Sequence, residues 1–170
     1  MTATQVQFES IKTFIFDVDG VLTDGSVNLL ASGERFRTVF IRDTYAIEQA
    51  LKAGFRVGIL SSSNAEGIRN WLLAMAVKDI FMGGPSDQKI NAYLGYVARD
   101  GLTESEILYM GDDLPDYPIL SRPAILSSCP ADAVDAVKSI CKYVSPILGG
   151  RGAVRDVIEQ VMKAQGKWRL

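Results

Sequence analysis

The 170-residue chain contains no histidine, and this absence restricts the chemistry open to it more than any other feature of its composition. Without an imidazole there is no Ser-His-Asp or Cys-His catalytic set, no histidine general base and no histidine metal ligand. An enzyme with this sequence would depend on carboxylates, lysine, hydroxyl groups, backbone amides and a hard metal ion.

Cysteine and long apolar runs are also scarce. Cys129 and Cys141 are the two cysteines, and they lack CxxC spacing, so we expect core or near-core thiols rather than a disulfide framework or a zinc site. The first ten residues have neither the basic nor the apolar region of a signal peptide. No apolar run reaches the roughly 20 residues that a membrane span needs. These features predict a cytoplasmic protein without membrane contacts.

The charge balance gives no sign of a nucleic-acid partner. Eighteen basic residues face 20 acidic ones, a formal net charge of -2, so local groups must bind any anionic substrate. The length and the apolar content of 48% predict one folded domain over residues 1–170.

Predicted strands alternate with predicted helices along the chain. Short apolar runs predict strands at 11–17, 56–60, 79–82, 107–110, 124–127 and 143–145. Helical periodicity predicts helices at 44–53, 64–75, 86–99, 131–138 and 152–164. Two runs, 27–30 and 36–41, predict a β-hairpin flap at about 27–41. The expected fold is α/β: a Rossmann-like, doubly wound, mostly parallel sheet with helices on both faces and a small hairpin after the first strand.

Two acidic motifs directly follow predicted strands. In Asp17-Val18-Asp19-Gly20, alternate carboxylates leaving a strand point to one side, so Asp17 could attack phosphorus while Asp19 exchanges protons. Gly20 permits a turn close to a phosphate. In the second motif, GDDLPD at 111–116, three carboxylates offer the oxygen ligands that Mg²⁺ prefers: Asp112, Asp113 and Asp116.

Two further segments could bind phosphate. Ser61 and Ser62 lie between a strand and a helix, where hydroxyl and backbone N–H groups suit an anion, although serine often only caps a helix. Lys89 could neutralise phosphate charge, although a helix lysine is usually solvated. Because the carboxyl ends of parallel strands meet at one edge of the sheet, we expect Asp17, Ser61 and the acidic segment at 111–113 to converge there.

These motifs, in this order, resemble the haloacid dehalogenase-like superfamily of phosphatases. The likeness is greatest to the sugar-acid phosphatases that act on 3-deoxy-D-manno-octulosonate 8-phosphate and related compounds. It rests on FDVDGVLTDG at 16–25, on 36–45, on GDDLPD at 111–116 and on GGRGAVRD at 149–156. The resemblance implies Mg²⁺ as cofactor and a small sugar-acid phosphate as substrate, such as that compound or a nonulosonate 9-phosphate. It also implies an aspartyl-phosphate intermediate.

The resemblance also implies a role for each motif residue. Asp17 would be nucleophile and metal ligand, and Asp19 the acid-base group with its backbone carbonyl on the metal. Asp112 would complete the metal site, supported by Asp113 and Asp116. Gly20, Ser61, Ser62 and Lys89 would hold the phosphate.

The residues that read the rest of the substrate are harder to assign, because this chain departs from the pattern there. Ser62-Ser63-Asn64 stands where relatives carry a glycine-arginine stretch, and Asp43-Thr44-Tyr45-Ala46 stands where they favour Asp-Gly-Tyr-Gly. The candidates are Arg42, Asp43, Thr44, Asn64, Arg69 and Arg151. We expect Arg151 to lie in a flexible glycine-rich segment.

The segments between the motifs are too short for a cap domain, with 43 residues between Asp17 and Ser61 and 27 between Ser61 and Lys89. We therefore expect a homo-oligomer, by family likeness a tetramer, in which the hairpin, with Val39, Phe40 and Ile41 exposed, or the tail at about 149–170 closes on a neighbour.

Two alternatives from other classes remain open: a receiver-like phospho-accepting signalling domain, and a catalytically silent assembly protein on the same fold.

Overall fold

The computed structural model describes residues 3–168, which form a six-stranded parallel sheet covered by helices on both faces. The sheet strands are β1 Thr13–Phe16, β4 Arg56–Ser61, β5 Asp79–Met82, β6 Ile107–Met110, β7 Leu126–Cys129 and β8 Tyr143–Val144. A separate hairpin consists of β2 Asn28–Leu29 and β3 Arg35–Phe36. The helices are α1 Ala3–Ser10, α2 Ile41–Lys52, α3 Glu66–Ala74, α4 Lys89–Asp100, α5 Tyr117–Leu120, α6 Asp135–Lys138 and α7 Ala153–Ala164.

The strand order places the ends of β1 and β6 side by side. The order is β5-β4-β1-β6-β7-β8, so the chain builds outward from β1 on one side and then returns to build on the other. Phe16, the last residue of β1, pairs with Met110, the last residue of β6, and with Ile59 of β4. Such a reversal opens a crevice beyond the strand ends, where ligands of this fold class bind.

Apolar residues alternate along β1 to fill both layers of the core. Phe14 and Phe16 face the layer that contains α1, α2, α3 and α7, whereas Ile15 faces the layer of α4, α5 and α6. All three side chains are fully buried. A central strand covered on both faces is typical of parallel sheets, and the predicted fold class is confirmed.

Several predicted boundaries are wrong. The second arm of the hairpin ends at Phe36 rather than at 41. Strands β2 and β3 form two exposed residue pairs, and no packing against the core extends them. Ile41 instead begins α2. Val39 packs against the core and Phe40 is half-buried, so of the predicted exposed run only Ile41 is exposed. Strand β7 starts two residues later than predicted, and helices α1 and α5 were not predicted.

Among residues 3–168, no helix has the length and apolar character required to cross a bilayer.

Candidate active site

The predicted catalytic residues converge at the carboxyl edge of the sheet, around a cavity of about 260 Å³. Eight of the nine predicted catalytic, metal-binding, phosphate-binding and supporting residues line it: Asp17, Asp19, Ser61, Ser62, Lys89, Asp112, Asp113 and Asp116. The cavity is completed by Gly25, Ser63, Ser86 and Pro115, to which the sequence had suggested no role.

Gly20, the ninth residue, shapes the loop that carries the two first-motif aspartates. Residues 18–21 have the backbone angles of a type II turn, with Asp19 at φ -75°, ψ 122° and Gly20 at φ 85°, ψ -8°. A Cβ atom on Gly20 would lie 2.0 Å from Oδ2 of Asp112. Glycine is therefore needed at this position for two reasons, the positive φ and the close approach of two loops.

Lys89 joins two buried carboxylates at the base of the cavity. Its Nζ atom lies 2.8 Å from Oδ2 of Asp17 and 2.6 Å from Oδ1 of Asp116. All three residues are buried. Burial lowers the pKa of Lys89, but the two carboxylates outweigh it and the pKa is raised, so this lysine is a fixed positive charge. The alternative interpretation of Lys89 as a solvated helix residue is wrong.

Asp116 is fully engaged by donors from the protein. Besides Lys89, Oδ1 accepts the hydroxyl proton of Tyr109 at 2.5 Å, and Oδ2 accepts the backbone N–H of Asp112 at 3.2 Å. Asp113 caps the short turn at Leu114–Asp116 by accepting the N–H of Leu114 at 2.7 Å. Both residues thus fix the loop after β6.

A group of carboxylates suited to a hard divalent cation lies beside Lys89. Oxygen atoms of Asp17, Asp112 and Asp116 all lie within 4.8 Å of one another. Burial, followed by the Asp116 carboxylate, raises the pKa of Asp17 to about 8 and that of Asp112 to about 7. These clustered oxygen donors fit Mg²⁺, because their combined negative charge exceeds the single positive charge of the nearby lysine. Oδ2 of Asp17 contacts Lys89 and Oδ1 accepts the N–H of Val18 at 2.6 Å, so the carboxylate is held in one orientation.

Arg37 is a site residue that the sequence analysis missed. It follows β3 of the hairpin, and its Nε and Nη2 atoms lie 2.5 Å and 3.0 Å from the two carboxylate oxygens of Asp19. Nη2 also donates to Oγ of Ser63 at 2.9 Å. No local sequence signal marks Arg37, because a charged residue beside an exposed strand is usually solvated and its partner lies 18 positions away.

None of the six predicted substrate-reading residues lines the cavity at Asp17. Arg42 and Arg151 border a separate cavity of about 450 Å³, whereas Asn64 borders a groove of about 810 Å³ between the hairpin and α3. Thr44 donates to the carbonyl of Phe40, and Arg69 donates to that of Met82, each at 3.5 Å.

Asp43 lies inside the protein rather than at the cavity. Oδ1 accepts the backbone N–H of Arg155 at 2.7 Å, in the first turn of α7, while Oδ2 is buried with no hydrogen-bond partner in the described part of the chain. Burial raises the pKa of Asp43 to about 6. Arg42, Asp43 and Thr44 belong to the first turn of α2, because the helix begins at Ile41 rather than at Thr44 as predicted.

The glycine-rich segment at 149–152 is closely packed, contrary to the predicted flexibility. The N–H of Gly150 donates to the carbonyl of Val21 at 2.9 Å, and a Cβ atom on Gly149 would lie 1.9 Å from the carbonyl oxygen of Gly20. Arg151 pairs with Asp24 at 3.3 Å in the same chain. These glycines let one backbone lie directly on the loop that carries Asp17 and Asp19.

Comparisons with known proteins agree with this arrangement. No family model matches the chain. The 3-deoxy-D-manno-octulosonate 8-phosphate phosphatase KdsC of Salmonella typhi is 32% identical over 166 residues, which cover 98% of this chain and 87% of the relative. The chain belongs to the KdsC family of haloacid dehalogenase-like phosphatases.

Solved structures of the same superfamily share the fold over nearly the whole chain. The Moraxella catarrhalis phosphatase of that name, crystallised with a magnesium ion, a phosphate ion and KDO, superposes with a TM-score of 0.92 at 25% identity, covering 98% of this chain and 94% of the relative. A Legionella pneumophila protein described as a HAD superfamily (subfamily III A) hydrolase gives a TM-score of 0.91 at 27% identity, with 96% and 88% covered. The resemblance found in the sequence motifs is confirmed. This KdsC-family chain has both the four motifs and the fold of a phosphatase.

Proposed function

We propose that this protein is a Mg²⁺-dependent phosphomonoester hydrolase that acts on a small sugar-acid phosphate through an aspartyl-phosphate intermediate. One observation carries the proposal: the buried carboxylate of Asp17 is held by Lys89 at a cavity that Asp19, Ser61 and Asp112 also line. A carboxylate fixed in this way needs no base to activate it for attack on phosphorus.

In the proposed first step, an oxygen of Asp17 attacks phosphorus and the bond between phosphorus and the leaving-group oxygen breaks. Asp19 gives its proton to that oxygen, so the sugar acid leaves as an alcohol. In the second step, water attacks phosphorus of the aspartyl phosphate and gives a proton to Asp19, while the bond between phosphorus and the Asp17 oxygen breaks. Inorganic phosphate is released, Asp17 is again a carboxylate and Asp19 is again protonated. Ser61, Ser62 and Lys89 hold the phosphoryl oxygens during both steps.

Asp17, Asp112 and the backbone carbonyl of Asp19 would hold the metal ion, and Asp113 and Asp116 would support them. When bound, Mg²⁺ offsets the repulsion between Asp17 and the phosphate and stabilises charge on the phosphoryl oxygens. Asp116 is better suited to support than to ligation, because Lys89, Tyr109 and the Asp112 amide already occupy its oxygens.

The proposed substrate class rests on the names of the relatives and on the shape of the surface. The cavity of about 260 Å³ suits a phosphate and its cation, whereas the adjoining groove of about 810 Å³ is large enough for a sugar acid. The groove contains a cation, an amide and an aromatic ring that could bind a carboxylate and a sugar: Arg35, Asn64 and Trp71. We propose 3-deoxy-D-manno-octulosonate 8-phosphate or a related nonulosonate 9-phosphate, which fits a role in lipopolysaccharide biosynthesis. Arg151 would then contact the substrate only if its ion pair with Asp24 breaks.

A homo-oligomer, by family likeness a tetramer, is part of the same proposal. Leu29 and Phe36 of the hairpin are 72% and 48% exposed, and Ile41 at the start of α2 is 74% exposed. Exposed apolar side chains on the hairpin and at the start of α2 favour burial against a second copy of the chain. A cytoplasmic location stays a prediction.

The test measures phosphate release from p-nitrophenyl phosphate and from a panel of sugar-acid and neutral sugar phosphates, with Mg²⁺ and with EDTA. Asp17→Asn keeps the shape of the nucleophile and should lower turnover by at least about 10³-fold. Asp135→Asn, at an exposed position outside the cavity, is the matched control. Sustained release by the Asp17→Asn protein would refute the mechanism. A single phosphorylation without turnover would indicate a receiver-like domain, and no reaction with any ester would indicate a silent assembly protein.

A further inference from the structure

The guanidinium of Arg37 contacts both oxygens of Asp19 in a forked geometry. The two donor–acceptor distances are 2.5 Å and 3.0 Å, and only 10% of the arginine side chain is exposed. A paired contact of this kind fixes the plane of a carboxylate as well as its position, which a single donor cannot do. The remaining side-chain donor within reach of Asp19, the hydroxyl of Thr23, lies 3.4 Å from Oδ1, close to the limit for a hydrogen bond.

Asp19 has little else to hold it. It occupies the second position of the turn at 18–21, and its side chain is 32% exposed, whereas Asp17 is buried and bonded on both oxygens. Proton transfer to a leaving oxygen requires the carboxyl group to lie within hydrogen-bond reach and to point at that oxygen. A displacement of about 1 Å can lower the rate about 10²-fold.

Arg37 is itself anchored to the loop that follows β4. Its Nη2 atom donates to Oγ of Ser63 at 2.9 Å, and the N–H of Ser63 donates to Oγ of Ser61 at 3.1 Å. Through Arg37, the hairpin, the loop that carries Asp19 and the phosphate-binding serines are joined by one chain of hydrogen bonds. The position of Asp19 therefore depends on the hairpin.

We infer that Arg37 is a positioning residue of the phosphatase reaction: it aims the Asp19 carboxyl group at the leaving-group oxygen. This inference rests on the proposed function. A group that acts through the proton donor has its largest effect where protonation of the leaving group matters most. Alkyl phosphates and aryl phosphates with a high leaving-group pKa should depend on Arg37, whereas p-nitrophenyl phosphate, whose leaving group departs without a proton, should depend on it less.

The test compares kcat and KM of the wild-type protein, Arg37→Ala and Arg37→Lys on a series of aryl phosphates of graded leaving-group pKa, with saturating Mg²⁺. Arg37→Ala should lower kcat/KM, which reports the steps up to departure of the leaving group, by about 10²-fold on the poorest leaving group and by less than about 10-fold on p-nitrophenyl phosphate. Arg37→Lys should recover part of the loss, because one donor still reaches Asp19. Arg56→Ala, which removes an exposed ion pair with Asp100 at the start of β4, is the matched control.

A second comparison separates action through Asp19 from direct contact with the substrate. In an Asp19→Asn background, Arg37→Ala should cause no further loss of kcat, since the group that it positions is already gone. Equal losses of kcat/KM on all leaving groups, or additive losses in the two backgrounds, would overturn the inference and assign Arg37 to phosphate binding or to folding. If Arg37→Ala does not fold, as judged by circular dichroism, the Arg37→Lys series decides by the same criteria. Absence of turnover in the wild-type protein would instead refute the proposed function.

Discussion

The ammonium group of Lys89 lies 2.8 Å from the Asp17 carboxylate, and both side chains are almost completely buried. Asp116 flanks the same ammonium at 2.6 Å. A buried charge that loses its partner is costly, so this lysine should matter for folding as well as for catalysis.

Lys89→Met should therefore lower both stability and turnover. We expect a loss of about 3 to 5 kcal/mol in the free energy of unfolding measured by urea in EDTA at pH 9, above the raised pKa of Asp17, since two buried carboxylates are left without a counter-charge. Phosphate release should fall by at least about 10²-fold because a positive charge that we propose to bind the phosphate is lost. Lys52→Met, at an exposed surface pair, is the control and should change neither quantity.

Combining Lys89→Met with Asp17→Asn tests the cause. The neutral asparagine removes one of the two unpaired charges, so Lys89→Met should cost less stability in the Asp17→Asn protein than in the wild-type protein. Equal costs in both backgrounds would contradict a direct interaction between the two side chains.

Magnesium affinity should rise with pH between about 6 and 9. The pKa of Asp112 is raised to about 7 and that of Asp17 to about 8, so both groups hold protons at pH 6 and must release them to bind a cation. Isothermal titration calorimetry in buffers of different ionisation enthalpy measures the dissociation constant and the protons released. Asp112→Asn should release fewer protons than the wild-type protein. A dissociation constant that is independent of pH over this range would contradict the prediction.

Removal of the Asp43 carboxylate should loosen the start of α7. Asp43→Ala loses the acceptor for the Arg155 N–H and should lower the free energy of unfolding by about 1 to 2 kcal/mol, as for the loss of a helix cap. Asp43→Asn retains an acceptor oxygen and should lose less. Urea unfolding at pH 7 compares the two variants, and a larger loss for the asparagine variant would contradict this account.

The raised pKa of Asp43 predicts that the free energy of unfolding depends on pH. The folded pKa of Asp43, about 6, lies above its ordinary value of 3.8, so the folded protein takes up a proton as the pH falls through 6. The wild-type protein should therefore gain stability relative to Asp43→Asn between pH 7 and pH 4, by on the order of 2 kcal/mol. Parallel stability profiles for the two proteins would refute a raised pKa.

The sequence predicts the strands and the convergence of motifs well, because both depend on short-range pattern. The runs before Asp17, Ser61 and Gly111 are apolar and flanked by turn residues, and parallel pairing brings their ends together whatever the details of packing. Helix α1 was missed because its buried residue Phe8 depends on contacts distant in sequence, among them the ring of Tyr143 at a centroid distance of 5.5 Å.

Long-range contacts also explain the errors at the site. Asp43 looks like a surface residue at the start of a helix, and only the approach of α7 shows that it is buried. Glycines at 149–152 look flexible, yet they are required by contact with Gly20 and Val21, almost 130 positions away. No local pattern encodes such a contact.

Gly149→Ala should disrupt the catalytic loop. A Cβ atom there would overlap the carbonyl oxygen of Gly20 at 1.9 Å, and backbone cannot move aside as a side chain can. We expect a loss of about 2 to 3 kcal/mol in stability together with a fall in kcat. Gly95→Ala is the control: nothing lies within 4 Å of its Cβ position inside α4, so it should be neutral or stabilise the protein by up to about 1 kcal/mol. Wild-type activity and stability in Gly149→Ala would refute the close packing.

Charge on the hairpin should dissociate the proposed oligomer. Leu29→Lys combined with Phe36→Lys places two cations where we propose a neighbouring subunit, and light scattering should then report a mass near the 18.6 kDa of one chain. Leu94→Lys, at a similarly exposed position on α4, should leave the mass of the wild-type assembly unchanged. A wild-type protein that is a fully active monomer would refute the proposal.

The excess of negative charge around Lys89 has a consequence for the order of events in the catalytic cycle. Counted as carboxylates, Asp17, Asp112 and Asp116 with one lysine among them give the cluster a formal charge of minus two, which equals in size the charge of one divalent cation. A phosphate ester that arrives first meets repulsion, whereas one that arrives after the cation meets a neutral surface. We therefore expect ordered addition, metal before ester, with inorganic phosphate competing as a product inhibitor mainly with the metal-loaded protein.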